Sequence, residues 1–527
     1  MPVRGKTVEE AVATIVSAVP ETSPQVEVPA YEQYIDGEWV GAESGETYEV
    51  QNPSTEDVIA TAAAGSRADA RRAIAAARRS FEAGEWRFKT QQQRSEIMFE
   101  LVKHMQSVSH GWGVIEAQNA GAVIRKTSVV DAPLAIEHFR SLAEQALSIP
   151  WYEPLAWFDQ PYVSWNFLQR EAVGVCAGII PWNFPLIFAV WKIAPAIAMG
   201  NSVVLKPAPQ TPLTALALVK AIDETGLIPK GVINVVTGPG VEIGAELVES
   251  PDVDKLAFTG STATGRRILA EAAPTIKKVT LELGGKSANI VCADADLDIA
   301  VDGTLFGVFF HQGQMCESGT RLYVHDEIYD EFVARLVDKA KSLRVGDALD
   351  FDSQVGPVIT RAQYDLILAA VERAVADGAT LACGGGRAAG VGDKGHFVAP
   401  TVLVDVPQGS HAATEEIFGP VLAVQRWNDL SEVIERANRT IYGLAGGIWS
   451  RDTLRAIEMA KRLRTGTVWI NDWHLLNPQA PFGGYKQSGI GRELGVEGLK
   501  EYTEVKHIHV DQGVPRRDRY FWDLLLS

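Results

Sequence analysis

The sequence predicts an α/β protein built on parallel sheets, and three observations carry that prediction. Strand-like and helix-like segments alternate through most of the 527 residues. Short apolar runs with neighbouring β-branched residues, such as Val203-Val204-Leu205, read as buried strands. Helix start signals follow these runs, which gives repeated βα units and so a parallel sheet covered on both faces.

Taken in order, residues 1–30 read as a tail with room for one short amphipathic helix. Ser66 can cap a helix that runs through Ile74 and stops at Gly84. Pro212 opens a helix through Leu216 and Val219 that ends near Gly226. Val232 to Val236 and Lys255 to Phe258 are further strands, with helices from about Val241 and Ala263. A second alternating series starts at Ala288 to Val291 and continues through Arg321 to Val324 and a helix from about Ile328. A domain boundary is expected near Gly284-Gly285. Two stretches break the rhythm. Residues 154–172 alternate around Gln160-Pro161 as an antiparallel hairpin. Tyr502 to Val510 sets Val505, Ile508 and Val510 against Lys506, His507 and His509. Strands outside the main sheets leave edge groups to satisfy, and another subunit is the natural candidate to cover them.

Composition narrows the classes. With 46% hydrophobic and 22% charged residues, the chain has the make-up of a soluble globular protein of two or three domains. A formal net charge of −17 repels nucleic acid and anionic membranes, so neither is expected as a partner. The four cysteines, Cys176, Cys292, Cys316 and Cys383, form no CxxC pair. A disulfide framework and a cysteine zinc site are therefore not expected, no metal-ligand spacing stands out, and a reducing cytoplasm fits. No apolar run reaches the roughly 18 residues that span a membrane.

The chemistry centres on Cys316, since a thiol is the best nucleophile among side chains at neutral pH. A lone cysteine says little, but this one has company. Pro181-Trp182-Asn183-Phe184-Pro185, Leu205-Lys206-Pro207-Ala208, Phe258 to Gly265 and Leu281-Glu282-Leu283-Gly284-Gly285-Lys286 precede it. Gln312-Gly313-Gln314-Met315-Cys316, Glu415-Glu416-Ile417-Phe418-Gly419-Pro420 and Pro481-Phe482-Gly483-Gly484-Tyr485-Lys486 complete the set. In order and spacing these segments resemble the aldehyde dehydrogenase superfamily over roughly residues 31–510.

The resemblance implies the fold: a parallel-sheet dinucleotide-binding domain at 31–153 and 173–284, and an α/β catalytic domain at 285–487. It adds a small antiparallel oligomerisation element from 154–172 and 500–512, with a C-terminal tail at 513–527, and it implies a homo-oligomer, dimer or tetramer. It also implies roles. Cys316 attacks the aldehyde, and the Asn183 side chain helps hold the oxyanion, although Asn alone would read as a turn residue. Glu282 activates water for thioester hydrolysis, where the bland reading is a surface charge at a strand end. Lys192 serves cofactor handling and proton transfer, against an equal reading as a surface cation.

On the cofactor side, Gly260, Ser261 and Gly265 form a GxTxxG turn at a helix start, where free N–H groups bind phosphate. Ser261 supplies a hydroxyl to the pyrophosphate. Lys206 reaches the adenosine ribose beside Trp182. Glu416 holds the nicotinamide ribose with Phe418 near the ring. The expected cofactor is NAD. Pro209 stands where many relatives carry a Glu that repels a 2′-phosphate, which leaves NADP open.

The substrate channel implied by the resemblance is lined by Phe184, Ile187, Phe188, Trp191, Met315, His474, Leu476 and Phe482. It contains no Arg or Lys for a phosphate or carboxylate, so an unphosphorylated aliphatic or aromatic aldehyde is expected. His311 replaces a common Asn as a hydrogen-bonding support. Glu317 directly follows the thiol, and its effect depends on whether it points toward the sulfur or away. The expected reaction is oxidation of an aldehyde to a carboxylic acid through a thiohemiacetal and a thioester. The rivals are a CoA-acylating semialdehyde dehydrogenase and a non-catalytic structural protein on the same fold. The tail, with Arg516, Arg517 and Arg519 before Tyr520-Phe521-Trp522 and Leu524-Leu525-Leu526, is expected to dock on its own or a neighbouring subunit.

Overall fold

A computed structural model describes residues 28–159 and 161–526. The expected N-terminal helix falls before residue 28, outside the described residues. Local signals in the sequence set the elements. Helix Arg67–Ala83 starts at Ser66, which forms a capping box with Asp69, and stops at Gly84 in the left-handed region with φ 80°. Strands Ser202–Lys206, Lys255–Thr259, Ala288–Val291 and Arg321–His325 match the β-branched runs. Helix Leu213–Asp223 follows Pro212 and ends a little before Gly226.

Two large sheets organise the molecule. The first has eight strands. Its middle is parallel, in the order Lys278–Glu282, Lys255–Thr259, Val175–Ile179, Ser202–Lys206, Ile233–Val235. Antiparallel strands flank it: Gly489–Ile490 on one side, Gln33–Ile35 and then Glu38–Val40 on the other. The second sheet has seven strands, parallel except for Thr380–Cys383 at one edge. The chain leaves the first sheet at Glu282 and enters the second at Ala288, so the crossing runs through Gly284-Gly285.

Helix Pro185–Ala198 is buried along its whole length and packs between the first sheet and helix Ala132–Ala146. An all-apolar helix belongs in a core. Its one charged residue, Lys192, is therefore the side chain that needs explaining.

The small antiparallel sheet joins Tyr152–Pro154, Ser164–Ala172 and Thr503–Asp511. The last strand finds its partner in the same chain: Thr503 pairs with Ala172 and Asp511 with Ser164. The hairpin strand pairs it along one side, as the joining of 154–172 with 500–512 implied, and its other side forms an edge of the sheet. The C-terminal tail turns back on Arg519, whose guanidinium meets Asp511 at 2.6 Å and stacks over Tyr162 and Trp522. Leu524 and Leu525 beyond it stay 83% and 86% exposed. Among the described residues no helix is long and apolar enough to cross a membrane.

Candidate active site

The candidate nucleophile, Cys316, sits on a strained loop. After helix Leu297–Phe309 the backbone passes through the left-handed region at His311 (φ 55°), Gln312 (φ 56°) and Gly313 (φ 69°). Each non-glycine residue there costs of order 1–3 kcal/mol, so the surroundings must hold it. They do. The Gln312 amide donates to the carbonyls of Gly121 and Pro357. The Gln314 side-chain oxygen accepts from the Ile359 N–H at 3.0 Å. His311 stacks near Phe184, ring centres 4.5 Å apart, and its ring is turned to the Asn183 backbone. The loop delivers Cys316 to a partly exposed position, whereas Cys176 and Cys292 are buried.

Asn183 reaches this loop from the turn before helix Pro185–Ala198. Its Nδ2 donates to the Gln314 carbonyl at 2.9 Å, two residues before the thiol. The second N–H on the same nitrogen is left for another acceptor.

Glu282 ends its strand 3% exposed, and neither carboxylate oxygen has a hydrogen-bond partner among the described residues. Burial raises its pKa well above the usual carboxylate range, the negative charge of Glu493 raises it further, and Lys192 and Arg492 pull the other way. Gly483 leaves room for it, since a Cβ there would lie 2.7 Å from Glu282 Oε1.

Lys192 is fully buried, which removes the surface-cation reading. Its ammonium forms an ion pair with Glu493 and donates to Thr259 Oγ1 at 2.9 Å. Thr259 lies opposite Glu282 in the sheet, so the pair flanks that carboxylate.

Glu317 points toward the sulfur. Cys316 Sγ meets Glu317 Oε2 at 3.3 Å, and Glu317 Oε1 meets His474 Nδ1 at 3.2 Å. Burial pushes the thiol pKa well above its ordinary value, with Glu317 and Glu416 adding to the effect. Burial is the largest influence on Glu317 and would raise it, but hydrogen bonding and attraction to His474, with hydrogen bonds from its own backbone N–H and the Cys316 thiol, together hold the carboxyl below its usual range.

On the other side of the thiol, Gly260 follows strand Lys255–Thr259, and Ser261 caps helix Thr262–Ala272 by accepting from the Thr264 N–H. The Ser261 hydroxyl is also bonded to Thr264 Oγ1, at 2.9 Å, on an exposed turn. Gly265 is buried against Leu283. Lys206 ends its strand with a buried ammonium whose nearest acceptors, the Pro207 and Gly238 carbonyls, are both 3.5 Å away. Burial pulls its pKa down to about 8. Glu416 accepts from the Gly285 N–H at 3.0 Å, and burial pushes its pKa up to about 7. Its other oxygen fills the space of a Cβ at Gly284, 2.2 Å away. Trp182 and Phe418 meet edge to face at 5.3 Å. An underpaired ammonium, a half-paired carboxylate and an open helix start suit a ligand with hydroxyls and phosphates.

The channel residues gather as well. Phe184, Phe188, Trp191, Met315 and Phe482 share one apolar cluster, and Cys316 and Leu476 pack against it. Phe188 and Phe482 lie edge-on to Trp191, at 5.4 and 5.5 Å. His474 stands to one side, between Phe306 and Phe310.

The aldehyde dehydrogenase family profile matches residues 39–508. The chain belongs to the aldehyde dehydrogenase family. It is 44% identical over 493 residues to a mitochondrial aldehyde dehydrogenase of Leishmania tarentolae, covering 93% of this chain and 96% of that one. It is 43% identical over 479 residues to a betaine aldehyde dehydrogenase of Bacillus subtilis, covering 90% and 96%. Among solved structures, the NAD+ complex of a Staphylococcus aureus betaine aldehyde dehydrogenase superposes with a TM-score of 0.89 at 40% identity, over 92% of this chain and 95% of that one. The NAD+ complex of a Bacillus cereus aldehyde dehydrogenase gives 0.89 at 41%, over 93% and 99%.

This aldehyde dehydrogenase therefore has the family's mixed α/β fold and is an oxidoreductase of aldehydes. Its site also holds residues that sequence motifs did not point to. Glu493 answers Lys192 across 301 residues of chain. A lysine inside an apolar helix signals a buried carboxylate somewhere, without saying which. Lys126 lies 4.2 Å over the Phe184 ring, so a lysine does border the aromatic wall. Its ammonium is bound by both oxygens of Asp131, at 2.8 and 2.6 Å, and is not free for a substrate anion. His138 Nδ1 accepts from the Trp191 indole at 2.8 Å and fixes that ring.

Proposed function

We propose that this aldehyde dehydrogenase oxidises an unphosphorylated aliphatic or aromatic aldehyde to its carboxylic acid, with Cys316 as nucleophile and NAD as the cofactor. The observation that carries this reading is the meeting of a partly exposed thiol, an amide tied to its loop and an unpartnered buried carboxylate. Cys316 gives up its S–H proton to water and, as thiolate, bonds the aldehyde carbon while the carbonyl π pair moves to oxygen. The second Asn183 Nδ2–H and the Cys316 backbone N–H donate to the oxygen as it gains charge. NAD, when bound, accepts hydride from the thiohemiacetal carbon. Glu282 then takes a proton from water, which attacks the thioester carbon, and the sulfur departs as the acid forms. Lys192, held by Glu493, acts beside Glu282 in proton transfer.

Lys206, Gly260, Ser261, Gly265 and Trp182 would hold the adenosine and pyrophosphate part. Glu416 and Phe418 would place the nicotinamide end. We assign residues 31–153 and 173–284 to cofactor binding, 285–487 to catalysis, and 154–172 with 500–512 to oligomerisation as a dimer or tetramer in the cytoplasm. Exposed Tyr152 and Trp165 on the small sheet, with Trp157 and Phe158 in the loop of its hairpin, favour such an interface. Pro209 keeps NADP open beside NAD.

The test is an NADH assay with acetaldehyde, hexanal and benzaldehyde, run with NAD+ or NADP+ and with or without CoA. Acid formation without CoA is expected. An absolute CoA requirement would mark the acylating alternative, and no turnover with any aldehyde would fail the reading.

A further inference from the structure

We propose that Glu317 sets substrate charge, selecting aldehydes that carry a cationic centre on the carbon next to the carbonyl and rejecting anionic ones. The inference rests on the aldehyde-oxidising reading and deepens it. Its geometry is local. Glu317 Oε2 lies 3.3 Å from the attacking sulfur. Once that sulfur bonds the carbonyl carbon, a cationic group two bonds further on lies within ion-pair reach of the carboxylate.

The carboxylate keeps its charge in place. His474 donates to it through Nδ1 at 3.2 Å, while His474 Nε2 is buried without a partner among the rings of Phe306, Phe310 and Trp473. The hydrogen bond fixes the Glu317 carboxylate beside the sulfur, and no other residue but His474 and Cys316 is hydrogen-bonded to its side chain among the described residues. Glu317 is also the carboxylate around the thiol whose pKa is lowered, whereas those of Glu282 and Glu416 are raised.

The two lysines beside the channel do not offset it. Lys126 is bound to Asp131 and Lys192 to Glu493, both buried pairs. Phe184, Trp191, Phe310 and Phe482 supply the rest of the wall, and aromatic faces favour a weakly hydrated ammonium over an anion. A buried carboxylate with aromatic walls repels glyoxylate-like anions and accommodates a quaternary ammonium.

Two isosteric aldehydes test this: trimethylammonioacetaldehyde and its neutral counterpart tert-butylacetaldehyde, with glyoxylate as the anion. For the wild type, kcat/KM is expected to favour the cation over the neutral isostere by about tenfold or more, with glyoxylate poorest. In Glu317→Gln the cation-to-neutral ratio should fall toward one, and in Glu317→Asp it should stay high. The ratio cancels any effect of the substitution on the thiol itself. Tetramethylammonium should also slow iodoacetamide alkylation of Cys316 in the cofactor-free wild type and not in Glu317→Gln, a readout independent of turnover. A wild-type ratio of one or less overturns the inference even if the Gln variant does not fold, and so does an unchanged ratio in a folded variant. If no aldehyde is oxidised while tetramethylammonium still protects the thiol, the activity reading fails and the cation site stands.

Discussion

The Cys316 thiol donates to the carboxylate of Glu317 at 3.3 Å, so the proposed nucleophile rests beside a negative charge. A carboxylate that accepts from S–H favours the thiol over the thiolate. Burial and Glu317 together hold the Cys316 pKa well above its ordinary value. Glu317→Gln removes one of these causes, so the thiol pKa falls. Each unit of that fall raises the thiolate fraction at neutral pH about tenfold. Iodoacetamide alkylation of the cofactor-free enzyme should then speed up, with its pH midpoint moved down. An unchanged profile would show that the contact does not govern the thiol.

The buried Lys192–Glu493 pair has a different signature. Both side chains are essentially inaccessible, and removing one leaves the other buried without its counter-charge. Breaking such a pair typically costs about 3–5 kcal/mol. Glu493→Gln should lower the melting temperature by several degrees, and the double change Lys192→Met with Glu493→Leu should recover much of the loss. The same Glu493→Gln change removes the negative neighbour that raises the Glu282 pKa. In the proposed mechanism thioester hydrolysis needs ionised Glu282, so its rate rises with pH through that pKa. The rise should move to lower pH in the variant, as read from steady-state turnover against pH.

Much of this architecture was legible in the chain. Ser66, Gly84 and Pro212 mark element ends through local chemistry, and Val203-Val204-Leu205 through β-branching, so those predictions needed no tertiary knowledge. Asn183, Glu282 and Cys316 fell within motifs, and the structure shows Asn183 bonded to the nucleophile loop and Glu282 unpartnered. What stayed hidden depends on side-chain direction or distant pairing. Glu317 could point either way until the fold placed His474, at φ 62°, across from it. Glu493 and Asp131 carry no signal of their own, because a surface carboxylate and a buried partner look alike in sequence. The strand at Thr503–Asp511 and its joining to the hairpin at 154–172 were legible, whereas the register between them was not.

The C-terminal tail gives a separate prediction. Arg519 fixes its base through Asp511 and the Val514 carbonyl, while Leu524 to Leu526 remain exposed. Deleting Gly513 to Ser527 should change the assembled mass or the melting curve. Native mass and melting curve both unchanged would show that the tail is dispensable for assembly and stability.

The division of labour between Cys316 and Glu282 is tested most directly by pre-steady-state NADH formation in Glu282→Gln. Thiol addition and hydride transfer do not require the base that activates water. A burst near one NADH per active site is therefore predicted, followed by steady turnover slowed by on the order of a hundredfold or more; Cys316→Ala should show neither phase. Loss of the burst together with steady turnover in folded Glu282→Gln would contradict the account.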